Sequence, residues 1–173
     1  MSDRYEMARA ERNWLERLAE KIPGFAGFKD RELRRDTDKL EREQLAQSLA
    51  AVRASLRSKA RAFTDAGQLA ALGEFDRLEK RLDTLAQSIR FADYGATGFF
   101  DAVKIDEQDL ARLYQFDLSF VAEVEALAGA VRELPGPGGA EIGPALGAIA
   151  EHLARLGEAW AGRENVVTGT LGA

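Results

Sequence analysis

The chain has 173 residues, of which 46% are hydrophobic and 31% are charged, and its formal net charge is −5. This length is sufficient for one domain with a sizeable core, and the hydrophobic fraction is too high for a disordered chain. The sequence contains no cysteine, which excludes disulfides, thiolate metal sites and cysteine nucleophiles.

The sequence also bears on where the protein resides. It contains no run of about 18 uncharged apolar residues, so we expect no transmembrane segment. The first twenty residues are rich in acidic and basic side chains and lack the apolar core of a secretory signal. These features predict a cytoplasmic protein.

The charge is distributed unevenly along the chain. Residues 1–92 contain 19 Lys and Arg against 16 Asp and Glu, whereas residues 93–173 contain 5 against 13. Such polarity suits head-to-tail stacking or an anionic partner, although a mild imbalance is also common in ordinary domains.

The first two predicted helices lie on either side of a glycine-containing corner. Apolar residues spaced by three and four predict a helix from Asp3 to Lys21, which Pro23 and Gly24 end. Neither Pro nor Gly occurs from Arg31 to Ala66, which predicts a second helix roughly 50 Å long. Gly67 is its expected C-cap.

The third predicted helix carries a coiled-coil seam. Its apolar residues alternate at intervals of three and four, namely Leu69, Leu72, Phe75, Leu78, Leu82, Leu85 and Ile89. Because only residues 65–68 separate it from the second helix, the two should fold back as an antiparallel hairpin.

The rest of the sequence predicts two more helices and a linker. Asp106 and Asp109 mark the start of a fourth helix, whose wide apolar stripe includes Asp117. The last helix carries a second seam, formed by Ile142, Leu146, Ile149, Leu153, Leu156 and Trp160. The sequence leaves open whether this helix packs on its own chain or on another copy.

Together these elements predict an all-α protein, built as an elongated antiparallel helical hairpin or bundle of about five helices. Residues 1–134 are expected to form the bundle and 135–139, Pro-Gly-Pro-Gly-Gly, a linker. Residues 140–161 form the last amphipathic helix, and 162–173 a flexible tail.

The motif Gly-x-x-Gly-Phe-x-Asp occurs twice, at Gly24–Asp30 and Gly95–Asp101. Paired glycines permit chain reversals, and the hairpin would bring both corners to one end of the molecule. Aromatic side chains there either plug the end of the bundle or bind a protein partner. The residues of this candidate partner-binding surface are Phe25, Phe28, Tyr94, Phe99 and Phe100.

A second candidate surface is basic. Residues 53–61 contain four basic side chains and no acidic one, namely Arg53, Arg57, Lys59 and Arg61. Such a patch suits an anionic membrane surface, whereas the acidic total argues against nucleic acid. The charged residues 31–43 alternate in sign and predict a solvated, self-paired helix.

The sequence offers no set of residues for catalysis or metal binding. The single histidine, His152, lacks the Glu three residues earlier that helical di-iron sites use, so we expect it to be exposed or locally bonded. The acids around the second corner lack the spacing of a calcium loop. No phosphate-binding loop or nucleophile elbow occurs. We therefore predict no catalytic residue, no metal and no cofactor.

Two segments, Ile22–Phe28 and Tyr94–Asp106, resemble those of a family of uncharacterised bacterial helical proteins, and the likeness covers residues 14–120. The resemblance implies a loose association with membrane-organising SPFH-type neighbours and no catalytic residues. The segment Val166–Gly172 is similar to the peptides that load cargo into encapsulin shells, with Thr168 where Val or Ile is usual.

These features predict a non-enzymatic helical interaction or scaffold protein that forms a homo-oligomer or binds a protein partner. The alternative is a peripheral membrane adaptor that uses the basic residues 53–61. A shell-cargo or metal-carrier protein is a lesser alternative.

Overall fold

Four α-helices build the part of the chain that the computed structural model describes, which comprises residues 31–92, 107–139 and 141–163. They are α1 (Arg31–Asp65), α2 (Leu72–Arg90), α3 (Glu107–Arg132) and α4 (Ile142–Ala161), and a short 3-10 turn, Leu69–Ala71, precedes α2. The all-α prediction is confirmed. The predicted helix Asp3–Lys21, the two glycine corners and the last ten residues lie outside the described residues.

The end of α1 follows from Gly67. Its φ of 70° lies in the left-handed region, which residues with a Cβ adopt only at a cost. The amide of Gly67 donates to the carbonyl of Thr64, and the amide of Gln68 donates to that of Phe63. This pair of hydrogen bonds is the Schellman motif, so the predicted C-cap is confirmed.

Contacts between side chains fix the directions of the helices. Arg53 of α1 pairs with Asp83 of α2, and Arg57 pairs with Glu79, so these two helices run in opposite directions. Glu123 of α3 bonds His152 of α4, and Asp117 bonds Arg163 just after α4, so α3 and α4 are also antiparallel. The first and third helices run in the same direction, and each helix packs on two others in the order α1, α2, α4, α3.

All four helices contribute to one hydrophobic core. Its fully buried members include Leu49, Leu56, Phe75, Ile89, Leu127, Val131 and Leu146. The seams of α2 and α4 both face this core, so α4 packs on its own chain, a point that the sequence left open. Leu69 and Leu40, which are 60% and 44% exposed, are exceptions among the predicted apolar stripes.

The bundle has two distinct ends. At one end, the rings of Phe63 and Phe75 lie 5.5 Å apart, and Lys59 Nζ donates to the carbonyl of Leu134 at 2.8 Å. At the other end, charged side chains replace the apolar core. No helix in the described ranges is long and apolar enough to cross a membrane.

Candidate functional site

A buried ionic cluster closes the second end of the bundle, and Arg163 is at its centre. Its Nε and Nη2 donate to the two carboxylate oxygens of Asp117, at 2.7 and 2.9 Å. Nη2 also donates to Asp38 Oδ1 at 2.9 Å. A residue just after α4 thereby joins α3 and α1 through charge-assisted hydrogen bonds.

The cluster continues along α1. Arg42 Nε donates to Asp38 Oδ2 at 2.9 Å, and Arg42 Nη1 donates to the carbonyl of Ala92, just after α2, at 2.6 Å. Asp38 therefore lies between two guanidinium groups. Hydrogen bonds of Arg42 and Arg163 to Asp38, Asp117 and the Ala92 carbonyl thus link the four helices at this end.

Aromatic rings cover Arg163 from the side of the core. Its guanidinium carbon lies 5.2 Å from the centroid of the Trp160 ring, a cation–π distance. Trp160 in turn packs on Phe120 with the ring centroids 5.5 Å apart. This packing shields the ion pairs from water.

Burial sets the protonation behaviour of the cluster. Burial raises the pKa of Asp117, and the Arg163 guanidinium acts in the opposite direction. For Arg163, burial lowers the pKa, but the neighbouring carboxylates outweigh it and hold the pKa above its ordinary value. Arg163 therefore remains charged, and it offsets the cost of burying Asp117.

Glu41 is the acidic residue of the cluster that remains incompletely satisfied. Its side chain is only 3% exposed, and its Oε1 has no hydrogen-bond partner in the structure. Burial raises the pKa of Glu41 well above its ordinary value, with further contributions from Asp117 and Asp38. Arg163 and Arg42 oppose this rise.

Glu41 also lies at one end of a groove between α1 and α3. The groove has a volume of about 380 Å³ and follows α1 from Glu41 to Ser55, roughly 20 Å along the helix. Most of its wall residues are small or apolar, and they include Leu45, Ser48, Ala51, Val52, Val121, Val124 and Ala128.

The ends of this α1/α3 groove differ in charge. Glu41 lines the end next to the ionic cluster, and Arg132, at the C-terminus of α3, lines the opposite end. Two further polar residues of the lining, Gln44 and Glu125, are exposed on its outer rim. The groove therefore combines an apolar floor with charges of opposite sign at its ends.

The basic residues predicted as an anionic-surface site have partners within the bundle. Arg53 and Asp83 are 2.5 Å apart, Arg57 bonds Glu79 at 2.9 Å, and Lys59 bonds a backbone carbonyl. Arg61 is 83% exposed and lies 4.0 Å from the Asp65 carboxylate. Acids of α1 and α2 thus offset much of this charge, and the membrane-binding surface stays a prediction.

The other predicted site residues divide into two groups. Phe25, Phe28, Tyr94, Phe99 and Phe100 lie outside the described residues, so the aromatic surface stays a prediction. His152 of α4 bonds Glu123 of the neighbouring helix α3 at 2.8 Å. Among the described residues, no group of three or more acids or histidines is arranged to hold a metal ion.

The ionic cluster is the feature that the sequence did not predict. Residues 31–43 were expected to form a solvated helix, but Asp38 and Glu41 are buried. The error arises because the i,i+4 pair of Asp38 and Arg42 has the pattern of an exposed helix. Asp117 did carry a signal, since it is a charged residue within the apolar stripe of α3.

Comparison of the chain with protein-family models, with curated proteins and with solved structures gave no match. The resemblance to a family of uncharacterised bacterial helical proteins stays a prediction. The ionic cluster and the α1/α3 groove are the features of the described residues that bear on function.

Proposed function

We propose that this chain is a non-enzymatic helical interaction protein that self-associates. The observation that carries the proposal is the α1/α3 groove, a long apolar depression on the outer side of two parallel helices. Grooves of this kind bind helices, because a row of side chains from the partner fits between the two walls.

The small residues of the groove support a helical partner. Ser48, Ala51 and Ser55 follow one another along α1 at intervals of three and four, and Ala128 lies on the facing wall. Small side chains at this spacing let a second helix approach the backbone closely. A partner helix would therefore gain more contact here than on the charged surface of α2.

The burial of both seams also favours the groove. The seams of α2 and α4 suggested self-association in the sequence, but they pack into the core of a single chain. A second molecule could reach them only if the bundle opened. The groove and the exposed Leu40 beside it remain accessible, so they are the surface on which the proposal rests.

The proposal extends to the complete chain. It takes the predicted Asp3–Lys21 helix, which lies outside the described residues, as the fifth helix of an elongated bundle. It also assigns the protein to the cytoplasm. Both points rest on the sequence, namely on the helical periodicity of the first segment and on the absence of cysteine from the given sequence, which suits a reducing compartment.

Sedimentation equilibrium of the full chain tests the proposal. We expect the apparent mass to rise from 19.0 kDa towards twice that value between low and high micromolar concentration. Dilution should restore the monomer, which separates specific association from aggregation. A chain that stays strictly monomeric at high micromolar concentration would contradict the proposal.

A further inference from the structure

We propose that the α1/α3 groove binds the same groove of a second copy, with the two copies antiparallel, so that Glu41 of each faces Arg132 of the other. The inference rests on the proposed self-association and adds to it the surface, the orientation and the charge pair. The buried, incompletely bonded Glu41 and the polarity of the groove carry it.

The direction of the two helices makes the groove polar from end to end. Asp38 of α1 and Asp117 of α3 bond the same arginine at one end of the bundle. At the other end, Lys59 of α1 bonds the carbonyl of Leu134, two residues after α3. The helices are therefore parallel and in close register, so Glu41 and Arg132 lie at opposite ends of the groove.

A two-fold axis across the middle of the groove makes these ends complementary. Rotation about an axis in the interface and perpendicular to the helices places α1 opposite α1 and reverses its direction. The acidic end of one copy then meets the basic end of the other, twice over. A parallel dimer would instead place the two Glu41 ends together, which like-charge repulsion disfavours.

The buried carboxyl group of Glu41 favours a partner that covers this end of the groove. Its Oε1 is buried without a hydrogen bond, an arrangement that costs free energy in the isolated chain. Arg42 and Arg163 donate to Asp38 and Asp117, and neither of them donates to Glu41 Oε1. An arginine from a second copy at this end of the groove would favour the ionised form of Glu41 and offset part of the cost of its burial.

The middle of the groove suits a close crossing of two α1 helices. Ser48 lies near the midpoint between Glu41 and Ser55, and Ala51 is exposed one turn further along. These small side chains allow the two backbones to approach. Glu125, a further charged residue of the lining, is exposed.

The test uses two neighbouring alanines of α1. Ala51 lines the groove, whereas Ala50 is exposed about 100° further round the helix, outside the groove. We expect Ala51→Arg to weaken dimerisation at least tenfold, roughly, because it buries two unpaired guanidinium groups in the interface. Ala50→Arg should leave it unchanged, and both variants should keep the helical circular dichroism of the wild type.

The orientation has its own test, because the natural chain contains no cysteine. In the antiparallel dimer, the Ser48→Cys variant should form an intermolecular disulfide on mild oxidation, since the two thiols meet near the axis. Ala50→Cys is the control and should remain monomeric on a denaturing gel. Arg132→Glu should weaken the dimer, because it places an acid next to Glu41.

The outcomes separate the two proposals. A wild-type dimer that Ala51→Arg leaves intact would overturn the groove as the interface and leave self-association standing. A dimer that Ala51→Arg abolishes, but in which Ser48→Cys forms no disulfide, would overturn the antiparallel arrangement. A strictly monomeric wild type would remove the basis of both.

Discussion

At the scale of single residues, Glu41 differs from the other acids of α1 in what surrounds it. Asp38 and Arg42 approach it from its own helix, Asp117 from α3, and Arg163 from the end of α4. Burial is the largest cause of the change in the pKa of Glu41, the two acids add to it, and the two arginines oppose it. The result is a pKa raised well above the ordinary value of 4.5.

This raised pKa predicts how stability depends on pH. Between the ordinary and the raised pKa of Glu41, the folded chain binds more protons than the unfolded chain. The free energy of unfolding should therefore fall as pH rises through this window. Glu41→Gln, which cannot ionise, should lose that decline and be more stable than the wild type above the window.

Urea unfolding over a series of pH values measures this difference, at a protein concentration low enough to keep the chain monomeric. Glu151→Gln is the matched control, because Glu151 is exposed on α4. Its curve should follow that of the wild type. Parallel pH profiles for Glu41→Gln and the wild type would show that Glu41 ionises normally in the folded chain.

At the scale of helices, glycine has opposite effects inside a helix and at its end. Gly67 adopts a φ of 70° after α1, whereas Gly147 lies inside α4 with open space where a Cβ would be. We expect Gly67→Ala to lower the free energy of unfolding by about 1–2 kcal/mol, the cost of the left-handed conformation. Gly147→Ala should raise it by up to about 1 kcal/mol.

Thermal unfolding of the two alanine variants beside the wild type tests this pair. The same substitution should shift the midpoint down in one variant and up in the other. Neither change adds a close contact, because nothing lies within 4 Å of either Cβ position. Equal shifts in the same direction would mean that the backbone conformation does not decide the effect.

The helices were predictable because their signals are local. Long stretches without Pro or Gly, apolar residues at three-four spacing and the Gly67 cap indicate where α1 and α2 begin and end, to within a few residues. The ionic cluster was not predictable in this way. Its members Asp38, Asp117 and Arg163 come from three parts of the chain, and only the packing of α1 against α3 brings them together.

The groove depends even more on tertiary structure. Ser48, Ala51 and Ala128 have nothing in their local sequence that distinguishes a groove from an ordinary exposed helix face. The groove exists because α3 packs beside α1 while α4 covers the other side of α3. Helix packing decides which helix faces remain uncovered. The local sequence around a residue does not reveal that packing.

At the scale of the whole molecule, Arg163 connects parts of the chain that are far apart in sequence. Its bond to Asp38 spans 125 residues and its bonds to Asp117 span 46. These contacts close the end of the bundle opposite to the two short connections. The last described residue thereby holds α1 and α3 together at the end where the hydrophobic core gives way to charges.

Removal of this guanidinium should destabilise the entire bundle. Arg163→Met keeps much of the side-chain volume but leaves Asp117, which is 2% exposed, without its cation. Because a buried carboxylate without a partner is costly, we expect a loss of about 3–5 kcal/mol in the free energy of unfolding at neutral pH. The loss should shrink in acid, where the exposed carboxyl groups of the unfolded chain and Asp117 of the folded variant are all protonated.

Urea unfolding at neutral and acid pH measures both values of this loss. Arg155→Met, at an exposed position of α4, is the control with the same chemical change. If the two variants lose the same small amount, the contacts of Arg163 add no stability beyond that of a surface arginine.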